Sequence, residues 1–584
     1  MFPRRSPMNK KKKAGGSRVI NGVGLFVIAV AYVSAIYNTF TVKREMEWGG
    51  KKIIRISHWQ LEAGFREAFD WVIKEYEKIH PDYKVIQLAI NDRTYKQFMT
   101  TQLIGGTAPD LIQLGRFKGS GENVNARFFY PLSEEVFKPN PYNADNELKE
   151  MPWIYTFKHG LEFNWDENNL DYYSIGVSAV SQRMAYNKTL LKKITGKSKP
   201  PRNFRELIDL CEQIKEYSEK TGDNIFPIAS SRYQGKKVMS RLAGSVGVED
   251  IAQKIDRNFD YEEDIGYEAF LSWMEKDVGF NAKEDSIGQV IADEISQYFE
   301  PGFMAKGRMD AAFSFIQQKS LMIAAGSWDA NTLVQQSKDA GFVIGFTDFI
   351  RVSRDHPKYG KYVKLKTAES RKGNNVPFGL CRFSKYPDVA LDFLKFFSSQ
   401  EIAGEFCRRA GWLCAIRGAE NVDFLKPFEP DYRGLPTGKG VKYAGQQTQA
   451  MAGQLEWQLQ SGDIDYSEYI TKFTNRYPDY AMKDFLGHMN NFKNSLVPAS
   501  HDLSDVSLMM KFNDDPSQEP RMLQRLKYKN EAYATFWVKL QGTVYDMVNI
   551  TTHKENKRIQ SVKETSHFNT FMKEFPNLPE TGRN

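Results

Sequence analysis

Between residues 52 and 114 the apolar positions of this chain alternate between two rhythms. Ile53-Ile54-Arg55-Ile56 is a short β-branched run, which predicts a strand, and Phe65, Phe69, Val72, Tyr76 and Ile79 then recur at spacings of three and four, which predicts an amphipathic helix. His80-Pro81-Asp82 stops that helix. Val85 to Ile90 reads as a second strand, Tyr95 to Leu103 as a second helix before Gly105-Gly106, and Leu111-Ile112-Gln113-Leu114 as a third strand. Strands separated by helices need crossover connections, so this stretch predicts a largely parallel sheet with helices on its faces.

The alternation resumes at Ile175 to Tyr186, a strand-like stretch, and then at a helix from Phe204 to about Tyr217 that Asn203 can cap. Residues 245 to 310 read as helical, with no strand. Leu321 to Ala325, Phe342 to Phe346 and Phe378 to Phe383 read as three more strands. Pro387 opens a helix with Val389, Ala390, Phe393, Leu394 and Phe397 on one face. Beyond about residue 401 the pattern is mostly helical, including a helix within 519 to 548. No internal repeat emerges.

Composition changes the picture at the amino end. The chain has 584 residues and a formal charge of +8, and residues 1 to 18 hold Arg4, Arg5, Lys10, Lys11, Lys12, Lys13 and Arg18 with no acid. The near-neutral remainder argues against a large nucleic-acid footprint, which needs a basic stripe to displace counterions. Residues 19 to 37, VINGVGLFVIAVAYVSAIY, carry no charge; at 1.5 Å per residue they would span about 28 Å of helix, close to the thickness of a bilayer core. Two readings stay open: a retained anchor with the basic tail in the cytoplasm, or a signal peptide cut near Val33-Ser34-Ala35. Either places residues 38 onward outside the cytoplasm. The four cysteines, Cys211, Cys381, Cys407 and Cys414, allow one disulfide, with Cys407 and Cys414 nearest in sequence, or four buried thiols.

Several chemistries lack their residues. No pair of the eight His has the spacing and intervening Glu of a zinc hydrolase, and Gly434 to Gly440 (GLPTGKG) has the wrong spacing and no hydroxyl for a phosphate loop. Ala243-Gly244-Ser245-Val246-Gly247 departs from the nucleophile elbow at its first position and reads as a turn after a helix. No catalytic residue, metal ligand or cofactor is expected.

Four segments, in order, resemble the family 1 extracellular solute-binding proteins of ABC transporters, the group that includes maltose- and oligosaccharide-binding proteins. They are Ile54 to Trp59 with the following helix and His80 to Val85; Gly105-Gly106-Thr107-Ala108-Pro109-Asp110-Leu111-Ile112; Ala185 to Leu191 with the Phe204-Arg205-Glu206-Leu207 helix; and Met322 to Asp329 with Gly379 to Phe397 and Gly411 to Ile416. The resemblance spans roughly residues 52 to 420. It implies an α/β fold of the two-lobed periplasmic-binding-protein type, type II, with discontinuous lobes and a ligand cleft between them, here preceded by one membrane helix. On this division residues 1–18 are a cytoplasmic tail, 19–37 the anchor or signal segment and 38–51 a linker. Residues 52–175 and 330–400 form lobe 1; 176–329 and 401–584 form lobe 2 with a helical extension. Two departures stand out: extra length around 245 to 310 and after 430, and no lipoprotein cysteine near the apolar run.

The resemblance also implies a ligand site built from Trp59, Arg116, Phe117, Trp328, Asp329, Asn374, Asn375 and Trp412. A sugar ring offers apolar CH faces and an edge of hydroxyls, so aromatic platforms and planar hydrogen-bonding groups suit it. The implied function is capture of a carbohydrate, expected to be an oligosaccharide, for an ABC importer. Its partners would be the permease subunits and the membrane reached by residues 19–37, with no nucleic acid and a monomeric chain. Two rivals remain: an anchored polysaccharide-processing enzyme, which would release product, and a ligand sensor that docks on a receptor.

Overall fold

The computed structural model describes residues 51–61, 64–115, 124–158, 160–161, 164–166, 171–246, 255, 257, 266–276, 283–363, 367–368, 374–431, 433, 435–436, 444–513, 516 and 519–575. The apolar run at 19–37 lies outside them. Among the described residues no helix is long and apolar enough to cross a membrane.

Two sheets organise the first 430 residues. In the first, the strand order is Leu413–Cys414, Ile175–Ala179, Asn374–Leu380, Leu111–Gln113, Lys52–His58, Tyr83–Ala89. Lys52–His58 runs parallel to both of its neighbours, as the crossover pattern predicts, while Asn374–Leu380 returns antiparallel beside Leu111–Gln113. The second sheet has the order Ile344–Thr347, Gln182–Asn187, Ser320–Gly326, Phe226–Ala229. The strand-like stretch 175–186 is therefore two strands in two sheets, divided at residues 180 and 181.

Each sheet is covered on both faces, and strand alternation explains the layers. Met322 and Ala324 join a layer with Leu207, Ile214, Val238 and Ile291, whereas Ile323 and Ala325 join Ala311, Phe315 and Leu333 on the opposite face. In the first sheet Ile54 and Ile56 face Phe69, Val72, Phe393 and Phe406, and Ile112 faces Tyr95 and Met99. The Phe65–Ile79 helix forms where its periodicity places it, and Asn203 caps the Phe204–Thr221 helix by accepting a bond from Glu206 N at 3.0 Å.

A third core is wholly helical. It joins Phe270, Trp273 and Met274 of the Gly266–Glu275 helix to the Gln446–Ser461, Tyr466–Lys511 and Glu519–His553 helices through Leu455, Tyr477, Phe485, Val544 and Met547. The 46-residue Tyr466–Lys511 helix contains Pro478 and Pro498, which an interior-proline rule reads as breaks; the helix continues through both. Asp484 on this helix accepts Gln447 N at 2.9 Å and Thr448 N at 2.8 Å, so it satisfies the free donors that begin the neighbouring helix.

The elements group differently from the expected division. The Gln400–Ala410 helix and Leu413–Cys414 pack in the first-sheet core, where Phe406 and Ala410 are fully buried, while the Ala330–Asp339 helix buries Leu333 in a second-sheet layer. The reason is that Leu413–Cys414 completes the first sheet beside Ile175–Ala179 and carries the preceding helix with it. All four cysteines are free and buried. Ser245 sits in the turn after the Arg232–Ala243 helix, its hydroxyl donating to Leu242 O at 2.6 Å, so the Ala243-to-Gly247 segment begins as the expected helix-ending turn.

Candidate functional site

The chain crosses from the first sheet to the second at Val180 and Ser181. Gln182 pairs with Gly326, so the carboxyl end of Ser320–Gly326 stands beside the crossing. Ser327 N donates to Ser181 O at 2.9 Å, which ties the two segments together. Phe226–Ala229 runs parallel to Ser320–Gly326, so its own carboxyl end, leading to Ser231, Arg232 and Tyr233, lies at this same edge. Open α/β sheets hold ligands at such carboxyl ends.

Five side chains gather there. The Arg308 guanidinium donates to the Asp329 carboxylate and stands 5.5 Å from the centre of the Tyr233 ring and 5.9 Å from that of Trp328. The ammonium of Lys237 is 5.5 Å from the same Tyr233 ring. Distances of this order are those of cation–π contacts.

Local sequence sets this arrangement. Ser231 caps the Arg232–Ala243 helix, accepting from Tyr233 N at 3.1 Å and Gln234 N at 3.4 Å, and so fixes the turn that presents Tyr233. Gly326 is needed because the Trp328 indole folds back onto its Cα, and any Cβ there would overlap the ring. Burial pushes the Asp329 carboxyl up, with Arg308 opposing it, and burial pushes the Tyr233 phenol up. Burial, then Arg241 and Lys236, hold the Lys237 ammonium below the usual lysine range.

Across the crossing, Trp59 follows Lys52–His58 with its ring edge-on to Tyr95 at 5.0 Å and its amide donating to Gln113 Oε1 at 3.3 Å. Gly115, at φ +112°, passes under the indole in a conformation that disfavours other residues. Trp59 and Trp328 are both half-buried.

The remaining expected site residues separate. Trp412 is a correction: it is 3% exposed and packs on Phe65 at 5.0 Å between ring centres, inside the first-sheet core, because the turn after Ala410 folds it back under its own helix. Asn374 and Asn375, expected in a loop, begin the strand Asn374–Leu380 and pair with Ala179 and Ser178, since the ladder with Ile175–Ala179 extends to their backbone. Arg116 and Phe117 lie outside the described residues. Among the described residues no group of three or more His, Cys, Asp or Glu is placed to hold a metal ion.

Tyr233, Lys237 and Arg308 are absent from the sequence-based site. Tyr233 follows a four-residue strand, Phe226–Ala229, that holds Pro227, and a proline inside a short apolar run argues against a strand. With that strand unread, the residues at its end had no place in the fold.

Comparison with known proteins agrees with this architecture. A family model described as bacterial extracellular solute-binding protein matches residues 62–403. No curated protein sequence gives a significant match. Among solved structures, the apo form of RafE from Streptococcus pneumoniae superposes with a TM-score of 0.52 at 14% identity, covering 74% of this chain and 98% of that one. RafE in complex with raffinose gives 0.51 at 14% identity, covering 73% and 100%. A chitin oligosaccharide binding protein gives 0.50 at 16%, covering 74% and 99%. At such identities the likeness is one of fold.

Proposed function

We propose that this chain, which belongs to the bacterial extracellular solute-binding protein family, captures an oligosaccharide between its two sheet-centred lobes and delivers it to an ABC importer. The single observation that carries the reading is the placement of two aromatic rings, the exposed Tyr233 and the half-buried Trp328, around the Arg308 guanidinium at the carboxyl ends of second-lobe strands. The half-buried indole of Trp59 ends a first-lobe strand in the corresponding way. Aromatic faces stack on sugar CH surfaces, and planar donors orient the hydroxyls. The ligands of similarly folded proteins, raffinose for RafE and chitin oligosaccharide for another, support the same ligand class.

In this reading the lobes rotate about the crossing and close on the ligand, and the permease distinguishes the closed from the open shape. No bond is made or broken. Trp59, Trp328, Asp329, Tyr233 and Arg308 form the walls in this reading, and Arg116, Phe117, Asn374 and Asn375 are carried as further proposed ligand contacts. The segment 19–37 tethers the lobes to the outer face of the cytoplasmic membrane. Isothermal titration of residues 45–584 against a glycan panel tests the ligand: saturable heat with at least one oligosaccharide is expected, and a flat response to every sugar would remove the proposal.

A further inference from the structure

We infer that the captured oligosaccharide is acidic, with its carboxylate or sulfate groups held by Lys237 and Arg308 beside Tyr233. The inference rests on the carbohydrate reading above and narrows it to a ligand class. Lys237 and Arg308 both approach the one Tyr233 ring at 5.5 Å, so the second-lobe wall brings two cations to a single aromatic platform. Arg232 and Lys236 are exposed on the same helix turns. The acids beside them are already engaged: Asp329 by Arg308 and by Gly326 N at 3.3 Å, Glu300 by Lys306, and Asp310 by Gly307 N at 2.8 Å.

The chemistry of the donors decides the class. Lysine and arginine side chains only donate hydrogen bonds. A neutral sugar hydroxyl both donates and accepts, so it uses only part of the bonding that a wall richer in donors than in acceptors offers. Carboxylates and sulfates only accept, and they match such a wall. Lys237 adds a second indication: it is half-buried, and no acid among the described residues forms an ion pair with it, a state that an anionic ligand group relieves.

The test is titration of the full-length chain, in a detergent without a sugar headgroup, with trigalacturonate, an unsaturated chondroitin sulfate disaccharide, and the neutral maltotriose and chitotriose. Binding of trigalacturonate or the sulfated disaccharide, weakened by rising salt and by roughly ten-fold or more in Lys237→Gln, is the expected result, and which probe binds separates carboxylate from sulfate. Arg308→Gln should act similarly, but it also frees Asp329; Lys237→Gln, checked for an unchanged melting temperature, is the cleaner variant. Binding of a neutral trisaccharide with no acidic probe bound would overturn this inference and leave the importer reading standing. Acidic binding that Lys237→Gln and Arg308→Gln leave unchanged would also overturn it. No binding by any sugar would remove both.

Discussion

The first and second lobes share an α/β plan yet fill their sheet centres with different residues. In the first lobe Phe69 meets Phe65, Phe378, Phe393, Phe397 and Phe406 at ring separations between 5.4 and 6.2 Å, with every one of these rings buried. In the second, the sheet centre is Met184, Ala185, Leu321, Met322, Ile323 and Ala324, and Tyr233 and Trp328 stand partly exposed beside cations at its edge. An aromatic share of 13% therefore says little about binding. What marks a candidate platform is a ring that keeps one face open and has a charged or hydrogen-bonding neighbour.

That contrast can be broken by substitution. Phe69→Ala should cost about 3–5 kcal/mol of stability, because it opens a cavity among rings that cannot collapse together, and Trp412→Ala should cost a similar amount. Tyr233→Ala should cost about 1 kcal/mol or less while abolishing ligand affinity. Urea unfolding of the three variants measures this, and a Tyr233 variant as unstable as the Phe69 variant would end the distinction.

A pH series sharpens it next. His58 is buried at the end of Lys52–His58, and desolvation holds its imidazole down at about 4 from an ordinary 6.5, against the raising effect of its 3.0 Å bond with Gln87. Because the folded value is the lower one, the unfolded chain takes up this proton first as pH falls. The stability His58 contributes is complete above pH 6.5, is lost between 6.5 and about 4, and totals about 3 kcal/mol. Melting temperature against pH should fall through that window in the native chain and less steeply in His58→Gln.

Gly326→Ala should displace the Trp328 indole at a cost of about 1–3 kcal/mol and weaken ligand binding more than its stability loss explains. Calorimetry of binding beside a thermal melt separates the two effects. The smallest effect expected is that of Asn203→Ala, about 1 kcal/mol for a lost helix cap remote from the site, with ligand affinity unchanged. A change in affinity there would show that the second lobe transmits strain to its edge.

Several elements were legible from residues alone. The Phe65–Ile79 helix, the Asn203 cap and the Pro387 helix start all follow from near-neighbour chemistry, and the order of the family segments predicted both sheets' principal strands. Trp59 ends a readable strand, and the family resemblance names Trp328 and Trp412. Trp412 is buried, since whether a ring beside a strand turns outward or inward depends on what packs beneath it, here Phe65 and Phe406.

Periodicity, caps and turn residues act over a few positions, so the amino-acid order by itself determined the α/β class, most of the helices and the family of the chain. Only the tertiary structure decided that residues 400–414 complete the first sheet, that Gly266–Glu275 packs with helices about 200 residues later, and that Lys237, Tyr233, Arg308 and Asp329 meet. Those outcomes depend on burial and electrostatic contact between segments far apart in the chain, and no local pattern encodes which distant surface will supply the partner.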